Sequence, residues 1–377
     1  MKSKIYLSSP HMGGNEQVYV QEAFDTNWVA PLGPNVTGFE TVIENYLGEG
    51  ICVAALSSGT AALHLALILF GVKKDDEVLC QSMTFSASAN PIVYQGATPI
   101  FVDSEKETWN ICPEALEEAI KDRLDKGKKP KAIIAVHLYG MPYKVDEIRA
   151  ISKKYGIPII EDSAEALGSH YKGQKCGTFG DISILSFNGN KIITTSGGGA
   201  LVTKSDALKE KAIFLATQAR DEAPHYQHSE IGYNYRLSNI SAGIGRGQME
   251  VLDQRVAQRR TNHQFYFKAF SKVKGVSVFS EPSLDYFSNH WLTCILIDSK
   301  LASFTPKELR LALEKENIES RPLWKPMHMQ PVFKNAPFYG KNGVSEKLFL
   351  QGLCLPSGSN LTNEDLQRIN TVIQQLG

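Results

Sequence analysis

Residues 131–162, KAIIAVHLYGMPYKVDEIRAISKKYGIPIIED, decide the fold. Lys131–Leu138 reads as a strand, Val145–Tyr155 as a helix stopped by Gly156, and Ile157–Asp162 as a buried strand. Strand, helix, strand is the rhythm of a parallel sheet covered on both faces. The rhythm continues on either side. Glu77–Cys80 and Thr98–Asp103 are strand candidates with a helical stretch, Ala87–Tyr94, between them. Asp181–Phe187 and Ala200–Thr203 extend the sheet, and the Gly197–Gly198–Gly199 run before the latter marks a tight return or a close backbone approach.

After about residue 245 the pattern changes. A long charged helix is expected over Gly247–Ser271, then strands near Val276–Val278 and Trp291–Ile297 and a helix at Pro306–Glu316. An aromatic and proline-rich loop runs to Phe338, and a closing helix starts at Thr362. The expectation is an α/β protein in two parts: residues 1–245 as a large domain with a mostly parallel sheet sandwiched by helices, and residues 246–377 as a smaller α+β domain. A length of 377 residues, at about 150 per domain, agrees.

Composition excludes several functions. Forty basic and forty acidic residues cancel, which argues against nucleic acid or an anionic membrane surface as partner. With 42% hydrophobic and 21% charged residues, disorder is not the main state. Cys52, Cys80, Cys112, Cys176, Cys294 and Cys354 form no C-x-x-C pair and no histidine stands at ligand spacing, so neither a disulfide framework nor a metal site is expected, and the compartment reads as cytoplasmic. The start, MKSKIYLSSPHMGG, does not read as a signal peptide, and the longest apolar stretch, Ala61–Val72, is too short to span a bilayer.

Ligands of such sheets bind at the carboxyl ends of strands. Ser57-Ser58-Gly59-Thr60 opens the helix Ala61–Phe70, where N–H groups and the helix dipole suit a phosphate, although Ser and Thr are also ordinary N-caps. Glu161-Asp162 ends an apolar strand and must either cap the next helix or meet a cationic group. Lys191 follows the strand Asp181–Phe187 on a short Gly-containing loop, facing the same crevice unless it is a solvated surface lysine. Phe85 follows another strand, and its ring either stacks on a planar ligand or packs in the core. Together, a phosphate cradle, an aromatic platform, a carboxylate and an amine are the complement of pyridoxal 5′-phosphate (PLP): donors for its phosphate, an anion for its ring nitrogen, an amine for its aldehyde.

The chain resembles, over essentially its whole length, the DegT/DnrJ/EryC1 family of PLP-dependent nucleotide-sugar aminotransferases. The segments that carry the resemblance include Leu32-Gly-Pro-Asn-Val-Thr-Gly-Phe-Glu40, Ser58-Gly-Thr-Ala-Ala-Leu63, Thr84-Phe-Ser-Ala-Ser-Ala-Asn90, Glu161-Asp-Ser-Ala-Glu-Ala-Leu-Gly168, Gly232-Tyr-Asn-Tyr-Arg236 and Pro326-Met-His-Met-Gln-Pro331. It implies the aspartate aminotransferase type of fold (fold type I). It also implies that Lys191 carries PLP covalently and then shuttles a proton, that Asp162 pairs with the ring nitrogen and Phe85 stacks on the ring, and that Ser58, Gly59, Thr60 and Ser186 hold the phosphate. Asn234 resembles the asparagine that reaches the phosphate of the neighbouring subunit, which implies a homodimer with shared sites. His328 resembles a small-domain histidine near the substrate opening, with a structural hydrogen bonder as the equal alternative, and Trp28 is a candidate sugar contact or surface packing.

Two departures narrow the resemblance. Glu165 stands where many members carry Gln beside the cofactor's 3′ oxygen, and Thr194-Thr-Ser-Gly-Gly-Gly199 replaces T-T-G-E-G-G. Both are similar to the branch that aminates the C4 ketone of UDP-2-acetamido-2,6-dideoxy-hexos-4-ulose, with glutamate as donor, on the route to bacillosamine-type sugars of surface glycans. A deoxysugar dehydratase of the same fold would carry histidine in place of Lys191. A non-catalytic sensor would have no need of a reactive amine.

Overall fold

Strands buried on both faces need helices above and below, and this chain supplies them in alternation. In the computed structural model, which describes residues 2–376, α1 (Glu16–Asp25) and α2 (Pro34–Leu47) lead into β1 (Cys52–Leu56), α3 (Gly59–Leu69), β2 (Glu77–Gln81), α4 (Asn90–Tyr94), β3 (Thr98–Val102), α5 (Pro113–Asp125), β4 (Ala132–Val136), α6 (Val145–Tyr155) and β5 (Ile159–Asp162). A small hairpin, β6 (His170–Tyr171) and β7 (Gln174–Lys175), precedes β8 (Ile182–Ser186), β9 (Gly199–Thr203), α7 (Asp206–Ala216) and α8 (Asn239–Met249). The quoted stretch thus folds as read. Acidic residues open α6 and basic ones close it, and Gly156, at φ 58°, takes the left-handed conformation that ends it.

The second part of the chain comprises α9 (Leu252–Phe270), β10 (Val276–Val278), β11 (Tyr286–Phe287), β12 (Thr293–Ile297), α10 (Pro306–Lys315), β13 (Arg321–Pro322), β14 (Phe338–Tyr339), α11 (Val344–Gln351), β15 (Gly352–Leu355) and α12 (Asn363–Leu376). The main sheet runs β1-β9-β8-β5-β4-β2-β3-β14, with only β9 antiparallel to its neighbours. A second, antiparallel sheet runs β10-β12-β15-β13.

Alternate residues of the main strands face opposite sides. On one side Leu56, Cys80, Ile134 and Ile160 pack against Leu63 of α3, Ile92 of α4 and Leu215 of α7. On the other, α2 and α8 cover Val53 and Leu185, while α5 and α6 cover Leu79, Ile133 and Ile159. The second sheet buries Ile295, Ile297, Leu353 and Leu355 under α9, α10 and α12. Its other face, with Cys294 and Cys354, joins an aromatic cluster of Trp109, Tyr139, Trp291 and Trp324.

Three expectations change. The helix expected over 247–271 is two, because α8 ends at Met249 and α9 begins after Val251, at φ −113° and ψ 6°. α8 is pinned against α1: a Cβ on Gly247 would run into the backbone of Asn15 and Glu16. The stretch 87–94 splits into a 3₁₀ turn (Ser86–Ser88) and α4, with Pro91 in the first turn of α4. The two sheets also exchange chain. α8 runs unbroken through position 245, Ile5 packs in the core of the second sheet, and β14 adds a strand to the edge of β3. That addition is secured by Asp103, whose carboxylate accepts the N–H groups of Val344 and Ser345 at the start of α11, each at 3.0 Å. No helix among the described residues is long and apolar enough to cross a membrane.

Candidate active site

The carboxyl ends of β1, β2, β5 and β8 open into one cavity of about 600 Å³, walled by Ser58, Gly59, Thr60, Phe85, Asp162, Glu165, Ser186 and Lys191 among others. Eight residues singled out from sequence therefore share one space.

The cradle is built from backbone. Ser58 is the N-cap of α3, its Oγ accepting the Ala61 N–H at 3.0 Å. The ordinary capping role is thus real, and it leaves the first-turn amides of Gly59 and Thr60 without a helical acceptor at the cavity wall. The glycine run lies hard against this turn: a Cβ on Gly199 would overlap Ser58 C and Gly59 N. A Cβ on Gly59 would stand 3.0 Å from that of Ser186. Room for an anion exists because these positions have no side chain.

The two carboxylates ending β5 part company, since successive residues face opposite sides. Glu161, on the α5–α6 side, accepts six hydrogen bonds: His137 Nε2, Ser163 Oγ and the Gly177 amide on one oxygen, the Phe179 and Gly180 amides and Ser183 Oγ on the other. Burial pushes its carboxyl up, but these donors, the His137 bond first, outweigh it and hold it down to about 2. Asp162 faces the cavity and accepts only Ser88 Oγ at 2.6 Å and the Ala164 amide at 3.2 Å. Burial raises its pKa, against the Ser88 hydrogen bond, and no cation lies within salt-bridge distance among the described residues. A buried carboxylate with so few donors is suited to a positively charged ligand atom.

Lys191 follows β8 on the loop that returns to β9. Its Nζ lies 3.3 Å from Glu165 Oε1 and 4.3 Å from the centre of the Trp291 ring. The other oxygen of Glu165 accepts the Tyr139 N–H at 2.6 Å. Burial raises the Glu165 carboxyl to about 7, against the opposing charge of Lys191. Phe85, 55% exposed, stands at the mouth with its ring 5.5 Å from that of Trp324. Ser88, Trp291 and Trp324 went unnoticed in the sequence. The two tryptophans reach the site from the second part of the chain, where no strand-end rule points to them.

Asn234, Trp28 and His328 do not line the cavity of the single chain. Asn234 is exposed, and Trp28 is 40% exposed. His328 is engaged on both ring nitrogens, 2.7 Å from Ser82 Oγ and 3.1 Å from Glu346, and stacks on Phe338. His137, Glu161 and Cys176 converge in the core, but they are not poised for a metal. The Glu161 oxygens are saturated as described, and His137 Nδ1 accepts the Tyr143 N–H.

An anion cradle, a buried carboxylate without a cation, an amine and an exposed ring in one cavity fit pyridoxal phosphate. Comparison with known proteins points the same way. The model of the DegT/DnrJ/EryC1/StrS aminotransferase family matches residues 10–374. The chain is 53% identical to EpsN of Bacillus subtilis (strain 168), whose name describes a pyridoxal phosphate-dependent aminotransferase, over 100% of this chain and 96% of that protein. It is 39% identical to the GDP-perosamine synthase of Escherichia coli O157:H7, over 96% and 95% respectively. A crystal structure of a DegT DnrJ EryC1 StrS aminotransferase from Brucella abortus superposes with a TM-score of 0.87 at 30% identity, covering 96% of this chain and 95% of the other.

Proposed function

The chain belongs to the DegT/DnrJ/EryC1/StrS aminotransferase family and is a PLP-dependent aminotransferase acting on sugars, and from that premise we propose that it transfers an amino group from glutamate to the C4 ketone of a nucleotide-linked 4-keto-6-deoxy sugar in the cytoplasm. The observation that carries this reading is the meeting of Lys191, Asp162 and the Gly59–Thr60 cradle in one cavity.

Bound there, pyridoxal phosphate supplies an aldehyde that captures amines and a ring that draws electrons from the neighbouring carbon. The amides of Gly59 and Thr60, with Ser186, hold the phosphate. Asp162 keeps the proton on the ring nitrogen, and Ser88 orients its carboxylate. Phe85, on the cavity wall, would offer its face to the ring. The Lys191 amine would hold the cofactor through its aldehyde and would hold or move the proton at the carbon that gains or loses nitrogen. Glu165, whose Oε1 accepts a hydrogen bond from Nζ at 3.3 Å, orients that amine. Trp291 and Trp324 restrict water. Asn234 reaches the phosphate site of a second copy, which makes the working unit a homodimer, and Trp28 meets the sugar substrate there, whereas His328, held by Ser82 and Glu346, serves as a structural hydrogen bonder.

For the sugar we favour UDP-2-acetamido-2,6-dideoxy-hexos-4-ulose, on the strength of Glu165 and the Thr194–Gly199 stretch. A GDP-linked 4-ketosugar is the second reading, favoured by the 39% identity to a GDP-perosamine synthase. The test is an amination assay over UDP-, dTDP- and GDP-linked 4-ketosugars, with product stereochemistry read by NMR. Wild-type protein should be yellow, glutamate alone should bleach it, and borohydride should trap the cofactor on Lys191. Lys191→Ala should lose the trapped peptide and about 10³-fold or more of the activity. A variant that yields the same labelled peptide would sink the assignment.

A further inference from the structure

Glu319 and Arg321 form part of the outer wall of the cavity, and the same two residues wall a second depression, of about 610 Å³, on their far side. Besides Lys191, Arg321 is the only cationic side chain on the cavity wall among the described residues. Its Nε and Nη2 fork onto Glu319 Oε1 at 2.9 and 2.7 Å, while Glu319 Oε2 accepts the Leu7 N–H at 3.0 Å. The outer depression is polar, with Lys4, Arg310 and Asn317 in its wall. Arg310 is paired with Glu314, whereas Lys4 has no carboxylate within salt-bridge distance among the described residues. The side chain of Arg321 is 68% exposed, so it can leave Glu319 at little cost.

The ketone of a nucleotide sugar must reach Lys191, so the remainder of the molecule extends toward the open side. There its diphosphate, separated from the reacting carbon by the sugar ring, has to meet positive charge. The amino donor is shorter: its α-carboxylate is borne by the reacting carbon itself and its side-chain carboxylate stands only three bonds away, whereas the diphosphate lies beyond a whole sugar ring. We propose that Arg321, backed by Lys4, is the diphosphate-binding subsite for the nucleotide sugar, with Glu319 holding the guanidinium in the empty site and yielding it to phosphate oxygens. A planar fork that already presents two N–H donors to one carboxylate is matched to a phosphate group. This assignment rests on the nucleotide-sugar reading above.

The experiment uses the PLP-loaded full chain and two readouts. Calorimetric titration with UDP and with GDP should show one of them binding wild type, about tenfold weaker binding to Arg321→Gln, and an intermediate loss in Arg321→Lys. Glu319→Gln, which removes the competing charge and keeps an acceptor for Leu7, should bind tighter than wild type. The rate at which glutamate bleaches the yellow colour should stay within about twofold in Arg321→Gln, which also shows that the variant is folded and loaded. Failure of both diphosphates to bind wild type, unchanged binding in Arg321→Gln, or an equal loss in the glutamate step would overturn the subsite. If wild type aminates none of the ketosugars in the panel while the diphosphate titrations behave as stated, the function falls and the subsite stands.

Discussion

Glu161 and Asp162 are consecutive, both buried, and end the same strand, yet one is surrounded by donors and the other nearly lacks them. The side of the sheet that Glu161 faces is finished: six hydrogen bonds hold the anion and knit β4, β5, β8 and the 177–180 turn together. The side that Asp162 faces is left open, at a cost that a cationic ligand atom removes. Burial alone therefore does not distinguish a structural carboxylate from a working one. The count of hydrogen-bond donors does.

The sharpest way to break this contrast is to exchange its terms. Glu161→Ala orphans six donors and should destabilise the fold by about 3–5 kcal/mol in urea unfolding. Asp162→Asn should leave the stability of the cofactor-free protein within about 1 kcal/mol and yet lose most of the bound cofactor and activity. If the two variants changed stability equally, the division of labour would be wrong.

Titration should separate the two sides next. The Glu161 carboxyl is depressed from 4.5 to about 2, so its stabilisation is complete above pH 4.5 and disappears as pH falls toward 2. Glu165 is raised from 4.5 to about 7, so in cofactor-free protein its cost is absent below pH 4.5 and grows as pH rises toward 7. Glu165→Gln should accordingly stabilise that form by about 1–3 kcal/mol at pH 8 and have little effect near pH 4.5, as followed by thermal unfolding. A gain independent of pH would point to packing instead.

The smallest effect belongs to the mouth. Phe85 is mostly exposed, so Phe85→Ala should cost less than about 0.5 kcal/mol of stability. Loss of its stacking should weaken cofactor retention by about 0.5–1.5 kcal/mol, measured by dialysis against free cofactor.

The parts legible in the sequence are those whose cause is local. Gly156 stops α6 because only its conformation suits the turn, and the strand-end residues Asp162, Ser186 and Lys191 meet because a parallel sheet brings carboxyl ends to one edge. What stayed hidden has distant causes. The break at Val251 carries no proline or glycine of its own and follows from how α8 and α9 serve different cores. β1, though apolar, is only five residues long, too short for periodicity to tell strand from helix. β13 and β14 are two-residue strands that exist only through their partners. Trp291 and Arg321 reach the cavity across the gap between sheets, which spacing along the chain does not encode.

The exchange of chain between the two sheets limits how the molecule can breathe. Were the second sheet to swing outward as a rigid flap, β14 would have to peel from β3, breaking the hydrogen bonds that the Phe101 and Asp103 N–H groups donate to the carbonyls of Pro337 and Tyr339 and pulling α11 off the Asp103 carboxylate. A hinge stapled on the far side of its axis cannot open wide. Entry of a bulky substrate is thus left to rotamer changes of a few rim side chains, Phe85 and Trp324 foremost.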